Sequence, residues 1–107
     1  MKLFLDDIRD PGDVYVETDW IVVRTATDCI NELKNTKDIN VVSLDHDLGP
    51  EEAGTGMDVV NWMDEAVFNG WIMPKIILVH SANPVAAYKM REAINKMRSI
   101  DDNRKNL

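Results

Sequence analysis

Four short apolar runs alternate with segments of helical period, and this alternation does most to limit what the chain can fold into. The runs are Lys2–Leu5, Trp20–Val23, Ile39–Leu44 and Lys75–Val79. Their length and β-branched content favour strands over helices. Between and after them, apolar residues recur at helical spacing. Thr25–Lys34 carries Ala26, Cys29, Ile30 and Leu33, with Thr25 or Thr27 as the N-cap. Met57–Phe68 carries Met57, Val60, Met63 and Val67, and Gly70 follows as a stop. Val85–Ile100 carries Ala86, Met90, Ile94 and Met97, with Pro84 at its first turn. The order β, loop, β, α, β, α, β, α predicts an α/β domain with a mostly parallel sheet and helices covering its faces. Right-handed crossovers then bring the C-terminal ends of all strands to one edge.

Chain length fits one domain: 107 residues, read as a single unit over 1–100 with a charged tail, 101–107, expected to fray. The loop Arg9–Asp19 contains Pro11-Gly12 and is too short and broken for a good helix, and Gly49–Gly56 reads as a flexible loop leading into a helix. No stretch approaches the ~18–20 continuous apolar residues of a membrane span. The start MKLFLDD turns acidic after five residues, unlike a secretory signal. The expected location is therefore cytoplasmic. The one cysteine, Cys29, falls on a helix's apolar face and reads as core. Twelve basic against nineteen acidic side chains give a net charge of −7, which argues against bulk nucleic-acid binding. It leaves room for a phosphate ligand if a divalent cation lies between the acids and the anion.

Ligands of open parallel α/β sheets bind beyond the carboxyl ends of the strands. Three of the runs end there in polar clusters: Asp6-Asp7, Asp45-His46-Asp47, and His80-Ser81 with Asn83. Both histidines of the chain lie in them. Carboxylates gathered at one edge repel unless a hard cation joins them, and Mg²⁺ or Mn²⁺ suits oxygen ligands beside phosphate. His46 or His80 is then a candidate general acid or base. Ser81, Asn83 and the backbone amides following Pro84 are candidate phosphate donors, and Arg9 and Lys89 candidate phosphate cations. Each piece also has a purely structural reading. Asp after a strand forms turns, a lone His packs or caps, and Ser-Ala-Asn-Pro is an N-cap sequence. Trp20, Trp62 and Trp71 read as packing rather than a base-stacking platform, and the methionines mostly as core. The coincidence of three clusters on one edge favours a site.

The same residues resemble a known family. LFLDD at Leu3–Asp7, followed by Arg9 and Pro11, resembles the first strand of response-regulator receiver domains. SLDHDLG at Ser43–Gly49 resembles their third strand, with Asp45 at the phosphate-accepting position, and VHSAN at Val79–Asn83 their fourth. The set LFLDDIRDP, Trp20, SLDHDLG, Gly56-Met57-Asp58-Val59 and HSANP is closer still to the cyclic-phosphate processing receiver domains, over about residues 1–98. The resemblance implies a flavodoxin-like three-layer sandwich on a truncated four-stranded parallel sheet of order 2-1-3-4. It implies a metal-dependent phosphoesterase, a hydrolase acting on a 2′,3′-cyclic phosphate end of RNA or on a cyclic nucleotide. Asp6, Asp7 and Asp45 would be the metal ligands, and His46, Asp47, His80, Ser81 and Asn83 would serve substrate and proton transfer. The chain departs from receivers in lacking a first helix, a fifth strand and the lysine at that strand's end. Three rival readings stay open: a signalling receiver phosphorylated on Asp45, a module that binds a cyclic nucleotide or a protein without chemistry, and an acidic edge that is only solvated.

Overall fold

A computed structural model describes residues 1–16 and 19–105. Its strands are β1 (Lys2–Leu5), β2 (Trp20–Val23), β3 (Val41–Leu44) and β4 (Ile76–Val79), all parallel in the order 2-1-3-4. Its helices are α1 (Ala26–Asn35), α2 (Gly56–Phe68) and α3 (Pro84–Lys105). This is the α/β receiver-like fold expected from the sequence. β3 and β4 start one or two residues later than the apolar runs do, because Ile39, Asn40 and Lys75 belong to the connections.

Helix starts follow their caps. Thr25, not Thr27, caps α1 by accepting the Asp28 N–H at 3.1 Å. Thr55 and Asp58 form a reciprocal capping box at the start of α2. Asn83 Oδ1 accepts the Ala86 N–H at 3.1 Å at the start of α3. The segment 101–105, expected to fray, is helical and continues α3, with Asp101 buried. A charged segment without apolar periodicity can extend a helix already anchored by Met90, Ile94 and Met97, because propagation costs far less than nucleation. Residues 106–107 of the expected tail lie outside the described residues.

The sheet register assigns each side chain to a face. Leu3, Ile21, Val42 and Ile77 share one row, and Leu5, Val23, Leu44 and Val79 another on the same face. These pack with Cys29, Leu33, Val59, Val60, Met63, Met90, Ile94 and Met97 as one core. All three helices therefore cover a single face. The expectation of helices on both is corrected by topology. The β2–β3 and β3–β4 crossovers run in the same direction across the sheet, so right-handedness sends α1 and α2 to the same side. Only the β1–β2 connection runs the other way, and there Pro11-Gly12-Asp13 forms a short 3-10 turn instead of a helix. This connection is the third layer. It lays Tyr15 over the second face, edge-on to Phe4 and stacked on Trp20 at 5.2 Å.

Candidate functional site at the carboxyl edge of the sheet

Extending the second face by one row past the strands builds the site. Phe4, Val22, Ser43 and Leu78 form the last row inside the sheet. Two residues further along each strand stand Asp6, Arg24, Asp45 and His80. The ladder continues through this row: Asp6 N–H donates to the Val23 carbonyl, Asp45 N–H to that of Leu5, and His80 N–H to that of Leu44. The sheet, rather than a loop, thus fixes the backbone of these residues.

Asp6, Asp45 and His80 each offer a ligand atom within 4.8 Å of the others. Asp6 is fully buried and saturated with donors. Its Oδ1 accepts the N–H of Ile8 at 3.0 Å and of Arg9 at 2.8 Å, and its Oδ2 accepts Arg9 Nε at 2.8 Å and faces His80 Nε2 at 3.0 Å. Burial alone would raise the Asp6 carboxyl, yet the Arg9 and Ile8 amides, His80 and the Arg9 guanidinium together hold it below its ordinary value. Asp45 is less well served. Its Oδ1 accepts the His46 N–H at 2.8 Å, while its Oδ2 has Arg9 Nη2 only at 3.6 Å. Burial, and then the Asp6 charge, push the Asp45 carboxyl above its ordinary value. The His80 side chain is 4% exposed. Burial lowers its pKa, against the opposing pull of Asp6 and Asp45.

The two histidines stand in different surroundings. Both ring nitrogens of His80 are engaged, Nε2 with Asp6 and Nδ1 with Ser43 Oγ at 2.6 Å, and its ring stacks on Phe4 with centroids 4.6 Å apart. His46 pairs its Nδ1 with Asp47 Oδ1 at 2.8 Å and makes no described hydrogen bond through Nε2. It lines a cavity of about 280 Å³ with Met57, Asn83, Val85, Ala86 and Lys89. A larger cavity of about 570 Å³ lies near Lys37, Asn40 and Trp71, on the amino side of β3 and away from these groups. Of the two, the smaller cavity is the one lined by a residue, His46, next in sequence to the Asp6–Asp45–His80 group.

The other expected site residues divide. Asp7 is half-buried and outside the Asp6–Asp45–His80 group. Its carboxylate makes no hydrogen bond to a described residue and stands 3.6 Å from where a Cβ on Gly49 would be. Ser81 Oγ accepts the Asn83 N–H at 3.1 Å, so Ser81 and Asn83 shape the start of α3, and only Asn83 also lines the cavity. Lys89 lines that cavity as well, and Arg9 spans both carboxylates. Sequence reasoning missed Ser43, Tyr15 and Arg24. Ser43 was visible as the one polar residue inside an apolar strand, in the same alternation as Asp45. Tyr15, whose hydroxyl lies 2.7 Å from Ser43 Oγ, gave no sequence signal because the β1–β2 connection brings it in, and Arg24, next after β2, gave none because the carbonyls of Asp6 and Arg9 that it binds are set by that connection.

The donor set suits a divalent cation. Two carboxylates and an imidazole offer ligand atoms within 4.8 Å of one another, close enough to share one cation. No described helix is long and apolar enough to cross a membrane. No curated protein and no solved structure matches the chain. The model of the cyclic-phosphate processing receiver domain matches residues 1–96. That match covers the sheet, the site and most of α3, and on it the chain belongs to the cyclic-phosphate processing receiver domain family.

Proposed function

We propose that the chain is a metal-dependent phosphoesterase that opens a cyclic phosphate, either a 2′,3′-cyclic phosphate end of RNA or a cyclic nucleotide. The observation that carries this reading is His46, which lines a cavity, pairs its ring with Asp47 and donates its backbone N–H to the Asp45 carboxylate. Asp45 and Asp6, with Asp7 beside them, would hold Mg²⁺ or Mn²⁺, which when bound supplies charge neutralisation at the phosphoryl oxygens. Arg9, whose side chain is 35% exposed, and Lys89 attract the anion. Asp47 accepts the Nδ1–H of His46 and thereby orients the ring, with Nε2 toward the substrate. Water attacks phosphorus and one ring P–O bond breaks. Protonated His46 gives its Nε2 proton to the leaving oxygen, and the proton of the attacking water passes to solvent. In the metal-free protein both ring nitrogens of His80 are engaged, and there it orients Asp6.

The test is turnover of 2′,3′-cyclic mononucleotides and cyclic nucleotides with Mn²⁺ or Mg²⁺. His46→Gln is expected to lower turnover by roughly 10²–10⁴-fold, the range for loss of a general acid. Complete absence of turnover by the unmodified protein on both substrate classes would sink the reading. A base-labile phosphorylated species on Asp45 after acetyl phosphate treatment would replace it with the signalling one.

A further inference from the structure

A chain of short hydrogen bonds runs inward from the half-buried Tyr15. The Tyr15 hydroxyl lies 2.7 Å from Ser43 Oγ, Ser43 Oγ 2.6 Å from His80 Nδ1, and His80 Nε2 3.0 Å from Asp6 Oδ2. The sequence carboxylate, imidazole, hydroxyl is that of a nucleophilic triad. Ser43 is nevertheless fully buried and covered by a second hydroxyl, so no substrate reaches it. The chain has another use.

Its proton directions are fixed as a set. The Asp6 carboxylate only accepts, so Nε2 must be the donor. In the neutral ring Nδ1 is then an acceptor, the Ser43 O–H donates to it, and the Tyr15 O–H donates to Ser43. With the ring still neutral the chain has one other arrangement, and it needs a cation at Nε2, since a lone pair there would otherwise face the Asp6 carboxylate. In it Nδ1–H donates to Ser43, Ser43 donates to the Tyr15 oxygen, and Nε2 presents a lone pair. The change is balanced: Nε2 releases one proton to water, one proton moves inward along each hydroxyl, and Tyr15 takes one back from water. It also releases a lone pair on Asp6 Oδ2, which Nε2–H occupied. Two ligand atoms facing Asp45 therefore open together.

We propose that Tyr15 and Ser43 are positioning residues that let His80 Nε2 join Asp6 and Asp45 as a nitrogen ligand to a divalent cation. The proposal rests on the metal-dependent reading above and deepens it. A ligating imidazole needs an acceptor for its other N–H. Ser43 is that acceptor, and it serves only if its own proton has somewhere to go. Tyr15 provides that place. Without the phenol oxygen, the Ser43 O–H would be left unpaired in the metal-bound arrangement, whereas in the metal-free arrangement it still bonds to Nδ1. The phenol thus favours the ion-holding state although it does not touch the ion. An imidazole in the donor set also shifts preference from Mg²⁺ toward Mn²⁺ or a later divalent ion.

The experiment measures Mn²⁺ binding to the full chain by calorimetry and reads ¹⁴N coupling to bound Mn²⁺ by pulsed EPR. The unmodified protein is expected to show coupling from one histidine, retained in His46→Gln. Tyr15→Phe keeps the ring and its stacking on Trp20, and is expected to weaken Mn²⁺ binding by roughly 10–100-fold, the usual cost of losing an outer partner of a ligating histidine. Its Mg²⁺ affinity changes less, and its thermal midpoint and circular dichroism show that the fold is retained. Ser43→Ala gives the same pattern. Mn²⁺ bound without histidine coupling, or with equal affinity in Tyr15→Phe, overturns the inference and leaves the phosphoesterase reading to its own turnover assay. Absence of any Mn²⁺ binding overturns both.

Discussion

At the scale of single residues, the charges at the carboxyl edge are kept at a cost. Burial and the neighbouring Asp6 make ionised Asp45 unfavourable in the folded chain, and Arg9 at 3.6 Å compensates only in part. Asp45→Asn is therefore expected to raise the thermal midpoint at neutral pH while abolishing metal-assisted turnover, measured by calorimetry and by the cyclic-phosphate assay. The sign follows from linkage: a carboxyl with a raised folded pKa costs stability above that pKa, and the cost fades as pH falls through it toward 3.8. The gain from Asp45→Asn should shrink over the same window, and an unchanged or lowered midpoint at pH 7 would contradict this account. Cys29 lies at the opposite extreme. Burial, then Glu32, push its thiol up to about 12, so an alkylating reagent should leave it unmodified until the protein unfolds.

At the scale of elements, the contact between β3 and α2 decides whether His46 is placed at all. The Gly56 N–H donates to the His46 carbonyl at 3.0 Å, and a Cβ on Gly56 would fall 2.0 Å from the Asp45 carbonyl oxygen and 2.8 Å from Met90 Cε. Only glycine lets the helix start this close to the Asp45-His46-Asp47 loop. Gly56→Ala is expected to cost roughly 1–3 kcal/mol, as overpacking does, and to displace His46 from Asp47. Thr25→Ala offers a control, because it removes the cap of α1 at roughly 1 kcal/mol and leaves the Asp45-His46-Asp47 loop in place. Urea unfolding of the two variants, with turnover measured on each, separates a loss of stability from a loss of site geometry. Equal turnover in both would remove the structural role assigned to Gly56.

At the scale of the molecule, the dependence of stability on pH sums opposing groups. His80 is buried with a lowered pKa, so its contribution is complete above 6.5 and is lost as pH falls from there through its folded value. Asp6, held low, contributes fully above 3.8 and loses that contribution as pH falls through its folded value. Asp45 acts in the other direction between its raised folded value and 3.8. Stability should therefore begin to fall below about pH 6.5, the unfolded histidine value. In His80→Gln that first decline should be lost while the Asp6-driven decline at lower pH persists. Midpoints of chemical unfolding across pH 3–8 check this. A His80→Gln variant with the same change below pH 6.5 as the unmodified protein would count against His80 being buried and neutral.

The sequence by itself determined the parallel α/β class, the strands and helices to within a few residues, and the gathering of Asp6, Asp45 and His80 at one edge. These follow from short-range alternation and from the handedness of crossovers, which act on any chain with this pattern. Which face carries helices, which histidine is free, and the partnership of Tyr15 with Ser43 were decided only in three dimensions. The β1–β2 connection, broken by Pro11-Gly12, leaves one face without a helix, and a tyrosine from that connection fills the space. Contacts between residues 28 and 37 positions apart, as between Tyr15, Ser43 and His80, depend on packing geometry that local sequence does not encode. Ser81 and Asn83 show the converse, since the capping geometry legible in their sequence is what the fold uses them for.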